Sequence, residues 1–250
     1  SVCAGQRADV RTLLLALLLT STAAWADEPH APRWRKPSAA VLFEDGQSLA
    51  VANEGTGTLS LIRLATADSD QPRILSESPV GTSLTDLVSI PGSDWILATD
   101  FASRSLHALR RRGDHLQTKR LLTDSLPEFS ISICVSNDGK VASVASLWGR
   151  SVTLLSVTAG DEDVDAAPLV TLPLDFAPRL QLALDETHIL IVDAFGGRLA
   201  LIDTASRSVK SLKPLHGGNI RGVALSRDRE KVVFAHSVQN PLAHADFNDI

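Results

Sequence analysis

The feature that most constrains the fold is a sequence outline that returns at intervals in the forties. Short apolar runs each end in a polar residue, then turn through small residues into a second β-type run. The spacings between successive polar residues are 47, 46, 47 and 43. These five residues are Asn53, Asp100, Ser146, Asp193 and His236. A period in this range, built from short strands, is typical of the four-stranded blades of a β-propeller.

Two further strands per repeat complete the predicted blade. The run 189–192 is apolar on both faces, as in a strand packed between neighbouring sheets, and Asp45-Gly46 is a typical hairpin turn. Preceding strands, each ending in a turn, are expected at 41–46, 87–93, 131–139, 180–186 and 222–229, and outer strands at 71–80, 116–123, 169–174 and 209–215. A two-sheet sandwich, the main alternative, gives no reason for the regular period. We therefore predict an all-β propeller with about five visible repeats, the last of them incomplete.

The segments 50–62 and 190–205 resemble the YVTN-type blade, in which an apolar strand ends in Asn or Asp, turns through Gly and continues as a second strand. The resemblance covers roughly residues 38–244 and is to the secreted bacterial propellers of the YncE/surface-layer type. It implies a ring of seven blades, and in some members a c-type cytochrome domain downstream. Three residues depart from the pattern: Ser146, Pro241 and His244.

The N-terminal segment is predicted to direct export. Arg7 and Arg11 precede the apolar run 13–19, and Ala24-Trp25-Ala26 has the pattern that signal peptidase cleaves. An uncleaved anchor or a buried helix is the alternative. We expect a signal peptide at 1–26, a linker at 27–37 and the propeller at 38–250, with further residues beyond Ile250 closing the ring. The expected location is the periplasm, the medium or the cell surface, with no membrane span after cleavage.

Charge and cysteine content restrict the class of partner. The chain has 24 Lys and Arg residues against 29 Asp and Glu, a net charge of −5, so nucleic acid is not an expected partner. The basic run 110–112 is interpreted as a solvated turn. Cys134 is the only thiol outside the signal segment, and its place in an apolar run predicts a buried structural side chain.

The acidic run 161–165 is the nearest approach to a metal motif. Its three alternating aspartates match the first ligands of a calcium loop, but Ala166 and Leu172 stand where such a loop needs Gly and Glu. We therefore expect an acidic hairpin tip and assign no metal site.

Histidines and nucleophiles give no catalytic set. His236 and His244 are eight residues apart, which matches no zinc or haem-attachment spacing, and no Gly-x-Ser-x-Gly motif occurs. Either histidine could still be an axial ligand to the haem of a downstream domain. No catalytic residue is assigned, cofactor-binding residues are left unknown, and haem c is expected only if such a domain follows.

One face of the propeller is the expected binding site. The turns from second to third strand and the connections between blades emerge together at the mouth of the central channel, and such loops commonly carry binding. Trp148 and Arg150 are the preferred candidates, because no turn requires them. The binding-face candidates are Trp148, Arg150, Asp100, Arg104, Asp193, Arg198, Arg221 and His236, with Asn53, Glu54, Arg179 and Phe195 on the same face. The alternative for Asn53 and Asp193 is that they only close their own turns.

Two functions remain open at this point. The first is a binding scaffold without catalysis, which presents its mouth to an unknown protein, glycan or small molecule. The second is the propeller part of a periplasmic redox protein with a c-type haem domain beyond Ile250. A hydrolytic propeller of the lactonase kind is a more distant third, and fold alone does not choose among them.

Overall fold

The computed structural model describes residues 34–65, 71–215 and 218–237. The predicted signal peptide, Pro241 and His244 lie outside these ranges. Every regular element within them is a β-strand, which confirms the all-β prediction. The part of the chain that the structure describes contains no helix able to cross a lipid bilayer.

Four four-stranded antiparallel sheets and one two-stranded sheet follow each other along the chain, and we number them as blades 1–5. Blade 1 comprises β1 (Pro37–Leu42), β2 (Ser48–Asn53), β3 (Thr58–Arg63) and β4 (Arg73–Pro79). Blade 2 comprises β5 (Leu84–Ser89), β6 (Ile96–Asp100), β7 (Ser105–Arg112) and β8 (His115–Leu122). Blade 3 comprises β9 (Ser130–Val135), β10 (Val141–Ser146), β11 (Ser151–Ala159) and β12 (Val164–Pro173). Blade 4 comprises β13 (Pro178–Ala183), β14 (His188–Asp193), β15 (Arg198–Asp203) and β16 (Ser208–Pro214), and the described part of blade 5 comprises β17 (Gly218–Leu225) and β18 (Val232–Ser237).

The connectivity is that of a β-propeller. Each four-stranded sheet is a simple meander in which strands adjacent in sequence are paired. The first strands β1, β5, β9, β13 and β17 contact each other in succession, so they form the inner edge of the ring. The first strands begin one to four residues earlier than expected, because most of the added residues are polar, small or proline and give only a weak apolar signal.

The hydrophobic cores lie between blades. Separate apolar clusters fill the gaps between blades 1 and 2, 2 and 3, 3 and 4, and 4 and 5. The second strand of a blade is therefore buried on both faces, as the fully buried β6 shows. Trp95 and Phe176 are the largest buried side chains in these gaps. This arrangement explains why the repeated runs are apolar without alternation.

The acidic hairpin and the basic run form a contact between blades 2 and 3. Arg110 is only 2% exposed, lies over the Trp95 ring at 4.5 Å and donates to Glu162 at 2.9 Å and to the carbonyl of Asp161. Lys119 donates to Asp163 at 2.6 Å. The interpretation of 110–112 as a solvated turn is thus wrong for Arg110, because the tip of the neighbouring blade covers it.

Candidate functional site

The turn from second to third strand and the connection to the next blade meet on one face, as the sequence predicts. In each complete blade, a carbonyl of the turn accepts a backbone hydrogen bond from the connection that follows the outer strand. The pairs are Gly57 with Gly81 at 3.0 Å, Arg104 with Leu126 at 3.0 Å, Arg150 with Leu174 at 2.7 Å and Gly197 with Leu215 at 2.7 Å. We call the face formed by the turns 53–58, 100–105, 146–151 and 193–198 and the inter-blade connections the mouth face.

The polar residues that begin these turns are buried, and their polar atoms are bonded to their own turn or to the connection between blades beside it. The Asp100 carboxylate accepts backbone N–H groups of Thr82 at 2.6 Å and of Ser83, Ala102 and Ser103 at 3.0–3.1 Å. Burial raises the pKa of Asp100, but these hydrogen bonds outweigh it and hold the pKa below its usual value. Asp100 therefore has a structural role on the mouth face, because both of its carboxylate oxygens already accept backbone hydrogen bonds.

The polar residues at the same position of blades 1 and 3 are also bound by nearby groups, through different hydrogen bonds. Asn53 donates to Thr58 and Ser60 at 3.1 and 2.9 Å. Ser146 donates to the carbonyl of Glu128 and accepts from the backbone of Gly149 at 3.2 Å. Ser146, which differs from the YVTN-type pattern that the sequence resembles, thus closes its turn as an Asn or Asp would.

Arg198 and Asp193 form an ion pair in blade 4. The buried Asp193 accepts from the Phe195 backbone at 3.1 Å and from the Arg198 side chain at 3.3 Å. Arg198 also donates to Asp175 at 3.0 Å and lies 5.5 Å from the Phe176 ring centre. Both candidates are positioned by contacts within blade 4 and with the connection that precedes it.

Arg104 and Arg150 occupy a conformation that usually needs glycine. Their φ angles are 50° and 46°, and the equivalent positions of the other two turns are Gly57 and Gly197, at 66° and 73°. A non-glycine residue there costs of order 1 kcal/mol. Arg104 bonds to the Leu126 carbonyl at 3.0 Å, whereas the exposed Arg150 side chain has no described partner.

Every strongly exposed aromatic side chain among the described residues lies on the mouth face. Trp148 and Phe195, 60% and 50% exposed, stack with ring centres 5.6 Å apart across the gap between blades 3 and 4. Phe101 and Phe129 form a second, tilted pair at 5.8 Å between blades 2 and 3. Trp34, 83% exposed, precedes β1 beside the first turn. We call these five side chains the aromatic arc.

The inner strands bring two further arginines to the arc. The Arg179 guanidinium lies 5.5 Å from the Phe195 ring centre. Arg221, on the adjacent strand β17, is exposed. Within the described ranges, neither residue nor Arg150 forms an ion pair with a carboxylate. The mouth face therefore combines exposed aromatic rings with cations that no described acidic side chain neutralises.

The structure thus divides the predicted site residues into two groups. Trp148, Phe195, Arg179 and Arg221 gather around the gap between blades 3 and 4 and the start of blade 5. Asp100, Arg104, Asp193 and Arg198 support turns, and His236 is exposed near the end of β18. Sequence reasoning missed Phe101, Phe129 and Trp34. The repeated outline could have indicated Phe101, because it follows Asp100 by one residue much as Phe195 follows Asp193 by two.

The opposite face offers a different kind of surface. A cleft between blades 1 and 2 is lined by the turns that follow β1, β5 and β7. Arg111 there bonds to Asp45 and Ser48, joining the two blades. Its cation is therefore already paired. The described residues hold no group of three His, Cys, Asp or Glu side chains that could bind a metal.

Comparisons with known proteins show the fold. No protein-family model matches the sequence, and no curated protein is significantly similar to it. A hydrazine synthase of Kuenenia stuttgartiensis superposes with a TM-score of 0.68 at 15% identity, over 89% of this chain and 62% of that one. The periplasmic gluconolactonase PpgL of Pseudomonas aeruginosa gives 0.61 at 18%, over 80% and 63%. The dihydro-heme d1 dehydrogenase NirN gives 0.57 at 15%, over 76% and 39%. The chain thus spans about three fifths, or less, of the length of these proteins.

Proposed function

We propose that this chain is a binding propeller of the exported YVTN/YncE-like type, which takes a ring-bearing small molecule or glycan on its mouth face. The observation that carries the proposal is the aromatic arc. Five exposed aromatic side chains on one face, and none as exposed elsewhere among the described residues, form a surface unlike the rest of the molecule. Exposed apolar surface concentrated in this way marks interaction sites.

The arrangement of the rings favours a flat ligand. The Trp148 and Phe195 planes are inclined by only 21° and the rings stack on each other, so a ligand ring would extend the stack on its exposed side. We call this stacked pair the aromatic platform. Such surfaces bind the faces of sugar or aromatic rings by stacking. Phe129 supports the same interpretation, because it holds φ at 60°, which is costly for a bulky residue and is typical of functional sites.

We also propose that the protein acts outside the cytoplasm. The charged, apolar and small-residue order of residues 1–26 supports this, and one protein of similar fold is described as periplasmic. A cytoplasmic location of the native protein after fractionation would contradict it.

The binding proposal is tested by removing the stacked pair. Wild type is titrated calorimetrically with a panel of sugars, sugar acids and aromatic acids, and the tightest binder is carried forward. W148A and F195A should each weaken that binding about ten-fold, because each removes one ring of the platform. Arg73→Ala, on the exposed outer strand β4, is the control and should bind as wild type does.

Unchanged binding by both aromatic variants, with circular dichroism showing that they remain folded, would place the site elsewhere.

A redox role is the second candidate. It is favoured by the similarity of fold to the dihydro-heme d1 dehydrogenase NirN, in which the matched region makes up 39% of the chain. In this alternative the propeller is one part of a longer protein with a c-type haem domain after Ile250. A haem-stained gel of the native protein decides it: a stained band supports the alternative, and an unstained one rejects it.

A further inference from the structure

The inner strands of the complete blades share an irregularity close to the mouth face. In each of them one residue is bulged out of the pairing with the second strand, just after the strand begins. These residues are Ser38, Thr85, Ile131 and Arg179. In β17 the irregularity falls between Gly218 and Gly222 and includes Arg221. Bulges redirect side chains, and they recur beside functional sites.

In blades 1 and 2 the bulged side chain links neighbouring blades. The Ser38 hydroxyl donates to the carbonyl of Leu84 at 2.8 Å, and the Thr85 hydroxyl donates to that of Ser130 at 3.1 Å. Each acceptor is the first residue of the next inner strand. Where this position links two blades, a short hydroxyl side chain is enough, and the apolar Ile131 of blade 3 forms no such link.

Arg179 holds the same position in blade 4 without making that link. Its Nη1 is buried and has no hydrogen-bond partner, while its guanidinium lies beside Phe195. A buried donor without a partner costs free energy and calls for an explanation. A long cation with a free donor, where a hydroxyl would serve the fold, is the chemistry of a ligand contact.

Arg221 adds a second positive charge beside the first. Strands β13 and β17 are in contact, and burial together with the Arg221 charge lowers the pKa of the Arg179 guanidinium. The carboxylates of Asp175 and Asp193, on the same side of blade 4, are both bound to Arg198. Two neighbouring guanidinium groups are thus left without a negative charge among the described residues.

We propose that Arg179 and Arg221 form an oxyanion subsite beside the Trp148–Phe195 stack, which binds the carboxylate or phosphate of a ring-bearing small molecule. This inference rests on the proposed function and names its ligand class. Guanidinium groups match the geometry of both anions, because their N–H donors pair with two oxygens at once. The ring of the ligand lies on the aromatic platform while its acid group reaches the inner strands.

The test uses three compounds that share one ring and differ in charge. Glucuronate carries a carboxylate, glucose 6-phosphate carries a phosphate, and glucose carries neither. By calorimetry, at least one acid should bind wild type roughly ten-fold or more tightly than glucose, as expected for hydrogen bonds to charged groups. Which acid is preferred identifies the anion.

Arg179→Gln and Arg221→Gln separate the subsite from the platform. Each should remove most of the preference for the acid and leave the weak binding of glucose unchanged, and Arg73→Gln should change neither. W148A should instead weaken all three compounds alike.

Two results overturn the subsite. One is that neither acid binds wild type more tightly than glucose, and the other is that both glutamine variants keep the preference. In either case the aromatic platform stands if W148A still weakens binding. If the glutamine variants lose the preference but W148A changes nothing, the subsite is retained and the proposed aromatic platform is rejected.

Discussion

Asp86 is a half-buried carboxyl on the inner edge of the ring, where blades 2 and 3 meet. One oxygen accepts the Ile133 backbone N–H of the next inner strand at 2.9 Å, and the other accepts that of Leu87 at 2.9 Å. Burial raises its pKa to about 6, and the two backbone hydrogen bonds only partly oppose this shift. No cation among the described residues pairs with it.

The raised pKa predicts a pH-dependent stability. Because the folded state holds the Asp86 proton to higher pH than the unfolded state, the free energy of unfolding falls as pH rises from about 4 to about 6. A shift of roughly two units corresponds to about 3 kcal/mol. Asp86→Asn should lack this fall, so the difference between variant and wild type in urea denaturation should grow by about 2–3 kcal/mol between pH 4 and pH 7.

Asp161→Asn, at the exposed hairpin tip, is the control for other titrating groups and should show little change in that difference. A constant difference between Asp86→Asn and wild type across the same pH range would contradict the assignment.

Cys134 shows how far single residues could be predicted from the sequence. Its apolar surroundings predict a buried thiol, and the structure confirms it: the side chain is buried, and burial raises its pKa to about 12. Arg104 and Arg179 are the contrasting case. The sequence predicts that both lie on the mouth face. Whether the guanidinium group has a hydrogen-bond partner depends on the neighbouring connection or blade, which a local sequence pattern does not contain.

At the scale of elements, the β11–β12 hairpin is the clearest contact between blades outside the cores. Its tip is held by the buried Arg110, and the Trp95 indole donates to the Gly160 carbonyl at 3.0 Å. The sequence suggested only an acidic tip. The cations that pair with its acidic residues lie 44 to 52 residues earlier, in the preceding blade. The ion pairs therefore follow from the close packing of neighbouring repeats.

Neighbouring arginines provide a matched test of this contact. Arg110→Met should lower the free energy of unfolding by about 2 kcal/mol, because it removes the hydrogen bonds of a buried guanidinium and leaves the Asp161 carbonyl and the Gln117 side chain without their donor. Arg112→Met removes only a long ion pair to Glu162, 3.4 Å in length and half-exposed, and should cost under about 0.5 kcal/mol. Urea denaturation measures both, and hydrogen exchange should show faster opening of 160–163 only in the first variant.

Equal losses for the two variants would mean that the hairpin is held by general charge attraction rather than by the Arg110 contact.

At the scale of the whole molecule, the repeat period carried most of the information about the fold. Runs apolar on both faces are required when cores lie between blades, so their positions and spacing were predictable. The sheets built on Asn53, Asp100, Ser146 and Asp193 follow the expected outline, and His236 lies on the second strand of the fifth. The aromatic arc was only partly predictable, since Phe129 and Trp34 lie in connections outside the repeated runs.

The mouth-face turns have a further consequence for how such a ring could acquire new specificities. In each complete blade the turn is joined to the next connection through the carbonyl of one residue with positive φ, which is Gly in two blades and Arg in two. Because that bond uses only backbone atoms, it does not itself dictate the side chain, and Arg104 and Arg150 show that two blades accept a long one there. Blade 1 does not, because a Cβ on Gly57 would lie 2.2 Å from the Gly81 carbonyl oxygen. Sequence changes at the two arginine positions would therefore alter what the mouth face recognises while the same backbone bonds keep the turns in place.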